Sequence, residues 1–183
     1  ALKGQRNDGN KYIKELYNKG VRSFVVDNST SSNTISSCNK ATFFVVEDTL
    51  KALQKIAAYH RNNYNVPTIG VTGSNGKTIV KEWLYQILSP EMSVARSPKS
   101  YNSQIGVPLS VWQLNDSHQL AIFEAGISRP NEMQKLKDII QPTIGIFTNI
   151  GQAHGKNFDD INHKIEEKLK LFADVDILIY CSD

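Results

Sequence analysis

Two hydrophobic periods alternate along the chain. Residues 10–18 read as a helix that stops at Gly20, and residues 21–26 as a short strand that turns apolar towards its end. The stretch 28–40, rich in Ser, Thr and Asn, reads as a loop. Thr42–Val46 reads as a second strand, and Asp48 as the cap of a helix with Leu50, Leu53, Ile56 and Ala57 on one face. Polar residues 62–65, followed by Pro67, break the pattern. They set the expected boundary between a domain at 1–65 and another at 66–183.

Beyond that boundary, four runs are apolar at successive positions: 69–71, 120–123, Ile144–Phe147 and Ile177–Tyr180. Strands of that composition sit in the middle of parallel sheets covered by helices. Helical patterns fall between and around them at 77–88, 107–114, 132–140 and 159–172. The alternation predicts a doubly wound, mainly parallel-sheet α/β domain, whose ligands bind beyond the carboxyl ends of the strands.

The first strand of that set runs into I-G-V-T-G-S-N-G-K-T, residues 69–78. Gly70, Gly73 and Gly76 are expected to let the backbone turn and aim its N–H groups inward. Lys77 offers a point cation to terminal phosphates, and the Thr78 hydroxyl a ligand to Mg²⁺. A helix starting there adds its positive end to the same anion site. Val71 stands where the common phosphate loop has its first glycine, so the spacing is Gly73-x-x-Gly76-Lys77-Thr78. This loop, with Ser74 and Asn75 at its tip, is read as a nucleoside triphosphate site.

Two other strand ends carry chemistry. The second run ends at Glu124, and the third leads into T-N-I-G-Q-A-H, with Asn149 and His154. Glu124 also reads as a surface carboxylate capping the next helix, and His154, taken singly, reads first as a solvated loop histidine. Beside a triphosphate loop, the two together suit a divalent metal.

The helical pattern 159–172 adds a lysine on an apolar face. At about 100° per residue, Ile161, Ile165, Leu169, Leu171 and Phe172 form one stripe, with Lys168 about 20° from Ile161 and Lys170 on the opposite side. Such a lysine either lays its stem along the core with its amine in water, or reaches the active-site edge to bind phosphate or be modified.

Composition narrows the classes. The chain has 183 residues and a formal charge of +3. No run of Lys or Arg offers a nucleic-acid footprint, and no apolar stretch approaches a membrane span. Cys38 and Cys181 lie far apart without metal-ligand spacing, which fits free thiols in a reducing cytoplasm.

Several separated motifs resemble the Mur ligases, which build the peptide stem of peptidoglycan. They are V-T-G-S-N-G-K-T, S-P-K-S-Y-N-S-Q-I-G-V-P-L (97–109), E-A-G-I-S, T-N-I-G-Q-A-H and E-K-L-K-L-F (167–172), in the family's order over essentially the whole chain. The opening A-L-K-G-Q-R-N-D-G-N resembles the family's UDP-sugar-binding domain, with Asn10 where the family usually has histidine. Within the family the resemblance is greatest to members that join D-alanyl-D-alanine to UDP-N-acetylmuramoyl-tripeptide, in a form that can be fused to alanine racemase.

The resemblance implies a partial N-terminal α/β substrate domain followed by a P-loop ATPase domain, and ATP-driven amide formation through an acyl phosphate. Lys77 and the loop amides of Gly73, Ser74, Asn75, Gly76 and Thr78 would hold phosphates. Thr78 and Glu124 would hold a first Mg²⁺, His154 would serve a second metal, and Asn102 would lie near the γ-phosphate. Lys168 aligns with a lysine carbamylated in many members. The chain is expected to be a fragment, lacking the third domain that brings the amino-acid substrate, and to be inactive alone. Competing readings are an amide ligase of the folylpolyglutamate synthase type and a nucleotide-binding module without ligation.

Overall fold

The computed structural model describes residues 1–4, 7–151 and 157–181. The chain divides into two compact units, Ala1–Leu53 and Gln54–Asp183. The division falls inside helix α3 (Thr49–Arg61), ahead of the expected break at 62–65. The second half of α3 belongs to the larger unit for a physical reason. Ala57 is fully buried in that unit's core, and the buried Arg61 guanidinium donates to Ile140 O at 3.0 Å, Tyr64 O at 2.5 Å and Thr68 Oγ1 at 2.8 Å. The stretch after the helix is therefore pinned to the larger unit.

In the first unit, a 3-10 turn Gly9–Tyr12 leads into α1 (Ile13–Asn18), followed by β1 (Ser23–Asp27), α2 (Ser32–Ser37) and β2 (Thr42–Val46). The two strands pair in parallel, Ser23 opposite Thr42. Ile13, Phe24, Val26 and Cys38 form the core, with Phe24 stacked on Phe43 at 5.4 Å between ring centres. Helix α2 replaces part of the expected loop. It buries none of its residues and is set by the Ser31 side chain, which accepts from the Thr34 N–H. Asn10 is tied on both sides: its amide donates to Asp8 Oδ1 at 2.9 Å, and its Oδ1 accepts from Thr30 at 2.7 Å.

The larger unit contains one five-stranded sheet, wholly parallel, in the order β4-β5-β3-β6-β7. Its strands are β3 (Thr68–Thr72), β4 (Val94–Arg96), β5 (Leu120–Glu124), β6 (Ile144–Phe147) and β7 (Ile177–Tyr180). Its helices are α4 (Lys77–Leu88), α5 (Gly106–Val111), α6 (Met133–Ile140) and α7 (Ile161–Leu169), the last continued by a 3-10 turn Lys170–Phe172.

Strand alternation sorts side chains to the two faces. Ile69, Val71, Leu120 and Ile122 pack with Val80, Leu84 and Leu88 of α4. Ala121 and Phe123 point the other way, against Val107, Val111, Met133, Leu136 and Ile140 of α5 and α6. Each fully buried Leu, Ile or Phe contributes about 1.5–3 kcal/mol. The central strands β3 and β5 are buried along their whole length.

Two expectations need correction here, and one strand went unread. The run Ile177–Tyr180 is a strand but lies at the sheet edge with every residue exposed, Tyr180 to 64%. The opposite edge, β4, has only three residues and too short an apolar run to be read as a strand. Gly70 is not part of the turning loop. It sits within β3, where a Cβ would lie 3.0 Å from Pro142 and 3.4 Å from Leu171, so its role is close packing.

Among the described residues no helix is long and apolar enough to cross a membrane. Cys38 is buried and Cys181 exposed.

Candidate active site

Strand register assembles the site. Val71 pairs with Glu124 and Thr72 with Phe147, so the ends of β5 and β6 flank the point where β3 gives way to its loop. Gly73 adopts φ 147° and Gly76 φ 80°, both in the region that favours glycine. At Gly73 a Cβ would also meet Thr148 Oγ1 at 2.0 Å, so only glycine fits between the two loops.

The loop is gripped by the segment after β6. Ser74 N–H donates to Asn149 O, and Asn75 N–H to Asn149 Oδ1, each at 2.9 Å. Thr148 Oγ1 donates to Asn75 O at 2.6 Å, and Gly151 N–H to Ser74 Oγ at 2.9 Å. The Ser74 and Asn75 N–H groups, expected to face phosphate, are thus engaged by Asn149. Helix α4 begins at Lys77 behind Gly76 with no side-chain cap. Its first-turn N–H groups have no partner within the helix and point to the same mouth.

Lys77 folds back over the loop, donating to Gly73 O at 2.9 Å and Ser74 O at 3.4 Å. Burial lowers its pKa, nearby Glu124 raises it and Lys164 lowers it further, with a net fall. Thr78 Oγ1 donates to Glu124 Oε2 at 3.0 Å, and Asn102 Nδ2 approaches the same oxygen at 3.4 Å. Glu124 is completely buried, and its backbone N–H donates to Ser97 Oγ at 3.1 Å. Its other oxygen, Oε1, has no hydrogen-bond partner, although Lys81 Nζ lies 3.1 Å away as a charge contact without hydrogen-bond alignment.

Among the described residues no group of three or more His, Cys, Asp and Glu side chains could hold a metal. One buried carboxylate beside a hydroxyl fits Mg²⁺ nonetheless, because that ion takes one or two protein oxygens and completes its shell with water and phosphate. His154 lies outside the described residues.

Lys168 is 3% exposed and donates to Gly73 O at 3.0 Å, which places it at the loop. Burial first, then the charges of Lys77 and Lys164, lower its pKa to about 8. Of the stripe expected around it, Leu171 and Phe172 are buried in the core, but the part on the helix itself is corrected. The buried side of α7 is Lys164, Glu167 and Lys168, whereas Ile161 and Leu169 are 50% and 40% exposed. Ile165 and Leu169 instead line a groove with Phe147, Ile150, Leu178, Tyr180 and Cys181. Helix α7 turns its lysines inward because loop carbonyls await them: Gly73 O for Lys168 and Gly151 O for Lys164.

With this geometry in place, the comparisons with known proteins are decisive. Residues 71–183 match the Mur ligase middle domain. The chain belongs to the Mur ligase family. It is 35% identical over 176 residues to the UDP-N-acetylmuramoyl-tripeptide–D-alanyl-D-alanine ligase of Borreliella burgdorferi, covering 94% of this chain and 38% of that protein. The Bacillus subtilis ligase of the same name is 30% identical over 185 residues, covering all of this chain and 40% of the relative. Among solved structures, MurF from Acinetobacter baumannii superposes with a TM-score of 0.89 at 28% identity, covering 100% of this chain and 40% of that one. MurF ligase from Thermotoga maritima in complex with ADP gives 0.86 at 29% identity, covering 100% and 42%. The chain thus spans about two fifths of the length of these Mur ligases.

Four residues of this Mur ligase site escaped the sequence reading: Lys81, Ser97, Asn149 in its loop-gripping role, and Lys164. Their roles depend on carbonyls and carboxylates from distant segments, which no local pattern records.

Proposed function

We propose that this chain is part of an ATP-dependent amide ligase that joins D-alanyl-D-alanine to UDP-N-acetylmuramoyl-tripeptide in peptidoglycan precursor synthesis. The observation that carries this reading is the Thr78–Glu124 pair, 3.0 Å apart at the mouth of the glycine loop, in a chain similar along its length to ligases of that name. The ADP complex of the Thermotoga maritima relative supports the nucleotide assignment.

In this proposal residues 1–65 belong to an N-terminal UDP-sugar-binding domain and residues 66–183 to the central ATP-binding domain. A further ligase domain, and in some forms an alanine racemase domain, would share the polypeptide. The whole would work in the cytoplasm, where ATP and the UDP-linked precursor are found.

The chain's residues divide the work as follows. The first-turn N–H groups of α4 and the Lys77 ammonium bind the β- and γ-phosphates, for which Lys77 exchanges its present loop carbonyls. Thr78 and Glu124 would hold Mg²⁺, and His154 would serve a second ion. Bound there, Mg²⁺ supplies charge neutralisation for the phosphates. Asn102, already beside Glu124, orients towards the γ-phosphate. The tripeptide carboxylate oxygen attacks the γ-phosphorus and the bond to ADP breaks. The D-alanyl-D-alanine amine then attacks the acyl carbon and phosphate leaves. Positioning and charge carry both steps.

Lys168 completes the site as a carbamate. A neutral amine adds to CO₂, the C–N bond forms and a proton leaves, which turns a crowded cation into an anion. The lowered pKa supports this, since it raises the neutral fraction near physiological pH.

The test is ligation by the full-length protein. UDP-N-acetylmuramoyl-tripeptide with D-alanyl-D-alanine is expected to give product and ADP. Product only with a folate and glutamate pair, or nucleotide binding without either product, would replace the reading with one of its competitors.

A further inference from the structure

Lys81 lies one turn beyond Thr78 on α4 and is fully buried, a rare state for lysine. Its ammonium donates to Ser97 O at 2.7 Å and to Lys99 O, and pairs with Glu82 Oε1 at 2.9 Å and Glu124 Oε1 at 3.1 Å. Removing a charge from water is costly unless each direction is answered. Two carbonyls alone would suffice for a staple between α4 and the loop after β4. The carboxylate of Glu124 is therefore the contact that needs explaining.

The two oxygens of Glu124 face different partners. Oε1 faces Lys81, whereas Oε2 receives Thr78 Oγ1 and Asn102 Nδ2. The backbone of Glu124 is held as well, because its N–H donates to Ser97 Oγ and Lys81 holds the carbonyl of that same serine. Lys99 has φ 49°, an unfavourable region for a side chain, and its carbonyl is also held by Lys81. Three residues further on comes Asn102. One ammonium thus touches every segment that supplies the Thr78–Glu124–Asn102 group.

We propose that Lys81 is a positioning residue for this group: it fixes the Glu124 carboxylate with Oε2 turned to Thr78, and it fixes the loop that carries Asn102. The proposal rests on the magnesium–nucleotide reading of the site given above. It predicts that Lys81 sets magnesium affinity without touching the nucleotide or the metal, as residues behind metal ligands do.

The test uses the full-length protein with two substitutions. Lys81→Met removes charge and donors; Lys81→Gln removes the charge but keeps an amide able to donate to Ser97 O. ADP binding is measured by calorimetry over a magnesium series, beside steady-state kinetics and the melting temperature. Both variants are expected to raise the half-saturating magnesium concentration roughly ten-fold or more. They are also expected to lower kcat while leaving KM for D-alanyl-D-alanine within about two-fold of wild type. In a Glu124→Gln background, Lys81→Gln is expected to add little further shift, since the partner is already gone.

A folded variant with wild-type magnesium dependence overturns the proposal, as does a full additional shift in the Glu124→Gln background. Failure of both variants to fold also overturns it, in favour of a purely structural lysine. Wild-type protein measured alongside separates the two readings: ADP binding indifferent to magnesium there would remove the reading of the site itself.

Discussion

Lys168 donates to the carbonyl of Gly73 at 3.0 Å, joining α7 to the first residue of the phosphate loop. With Lys77 donating to the same carbonyl, two ammonium groups converge on one oxygen. Burial first, and then the repulsion of Lys77 and of Lys164, is why the Lys168 pKa falls to about 8 from the ordinary 10.5.

That shift has a signed consequence. Between about 8 and 10.5 the unfolded chain holds a proton on Lys168 that the folded chain has released, so stability rises with pH across that window. Below about 8 the cost of burying the charge is present in full. Measured against Lys168→Met, wild type is expected to gain melting temperature across the window; a difference constant with pH would contradict the shift.

The same amine should take up CO₂ more readily as pH rises through about 8. A carbamate carbon signal from ¹³C-labelled bicarbonate, absent from Lys168→Ala, is the expected result. Lys168→Ala is expected to fold, ligate poorly and recover partly with acetate or formate. Full activity of that variant without additive would exclude Lys168 from the chemistry.

Gly73→Ala is expected to be worse than Gly76→Ala. Both have positive φ, at a cost of about 1–3 kcal/mol. Only at Gly73 would the new Cβ collide with Thr148 Oγ1, at 2.0 Å; at Gly76 the nearest atom is 3.8 Å away. Melting temperature and ADP affinity of the two variants check the order, and equal losses would argue against the grip between the loops.

Lys77→Ala removes a cation aimed at developing phosphate charge. Turnover of the full-length protein is expected to fall by about 10²–10³, with a small change in melting temperature because the lost partners are two loop carbonyls. Unchanged turnover would take Lys77 out of the site.

Glu124→Gln is expected to raise the magnesium requirement more than His154→Ala, since a charged oxygen is the harder ligand. A magnesium titration of ADP binding by each variant ranks them. A larger shift for His154→Ala would reverse the assignment.

What the sequence made legible follows from the physics of each element. Strands β3 and β5 are buried on both faces, so their apolar runs marked them, and the glycine spacing marked the loop between β3 and α4. Thr78, Glu124 and Asn102 lie far apart in sequence, but each sits at or beyond a strand end, where a parallel sheet gathers its chemistry. The helical pattern 159–172 was legible in part: Lys168, Leu171 and Phe172 are buried as its stripe implied, whereas Ile161 and Leu169 are exposed, because apolar periodicity reports amphipathicity and not which face is inward. Its lysines answer loop carbonyls, and its apolar stripe lines a groove beside the exposed edge strand β7. Lys81 was hidden for a similar reason. Its partners Ser97, Lys99 and Glu124 come from segments whose meeting no local pattern records.

The most direct measurement of the central claim follows one oxygen atom. UDP-N-acetylmuramoyl-tripeptide labelled with ¹⁸O in its terminal carboxylate is incubated with the full-length protein, ATP, magnesium and D-alanyl-D-alanine, and the released phosphate is examined by mass spectrometry. Activation as an acyl phosphate is expected to carry one ¹⁸O into phosphate for each amide bond formed, and Lys77→Ala to suppress label and product together. Amide product with unlabelled phosphate, or phosphate release without product, would contradict the assignment.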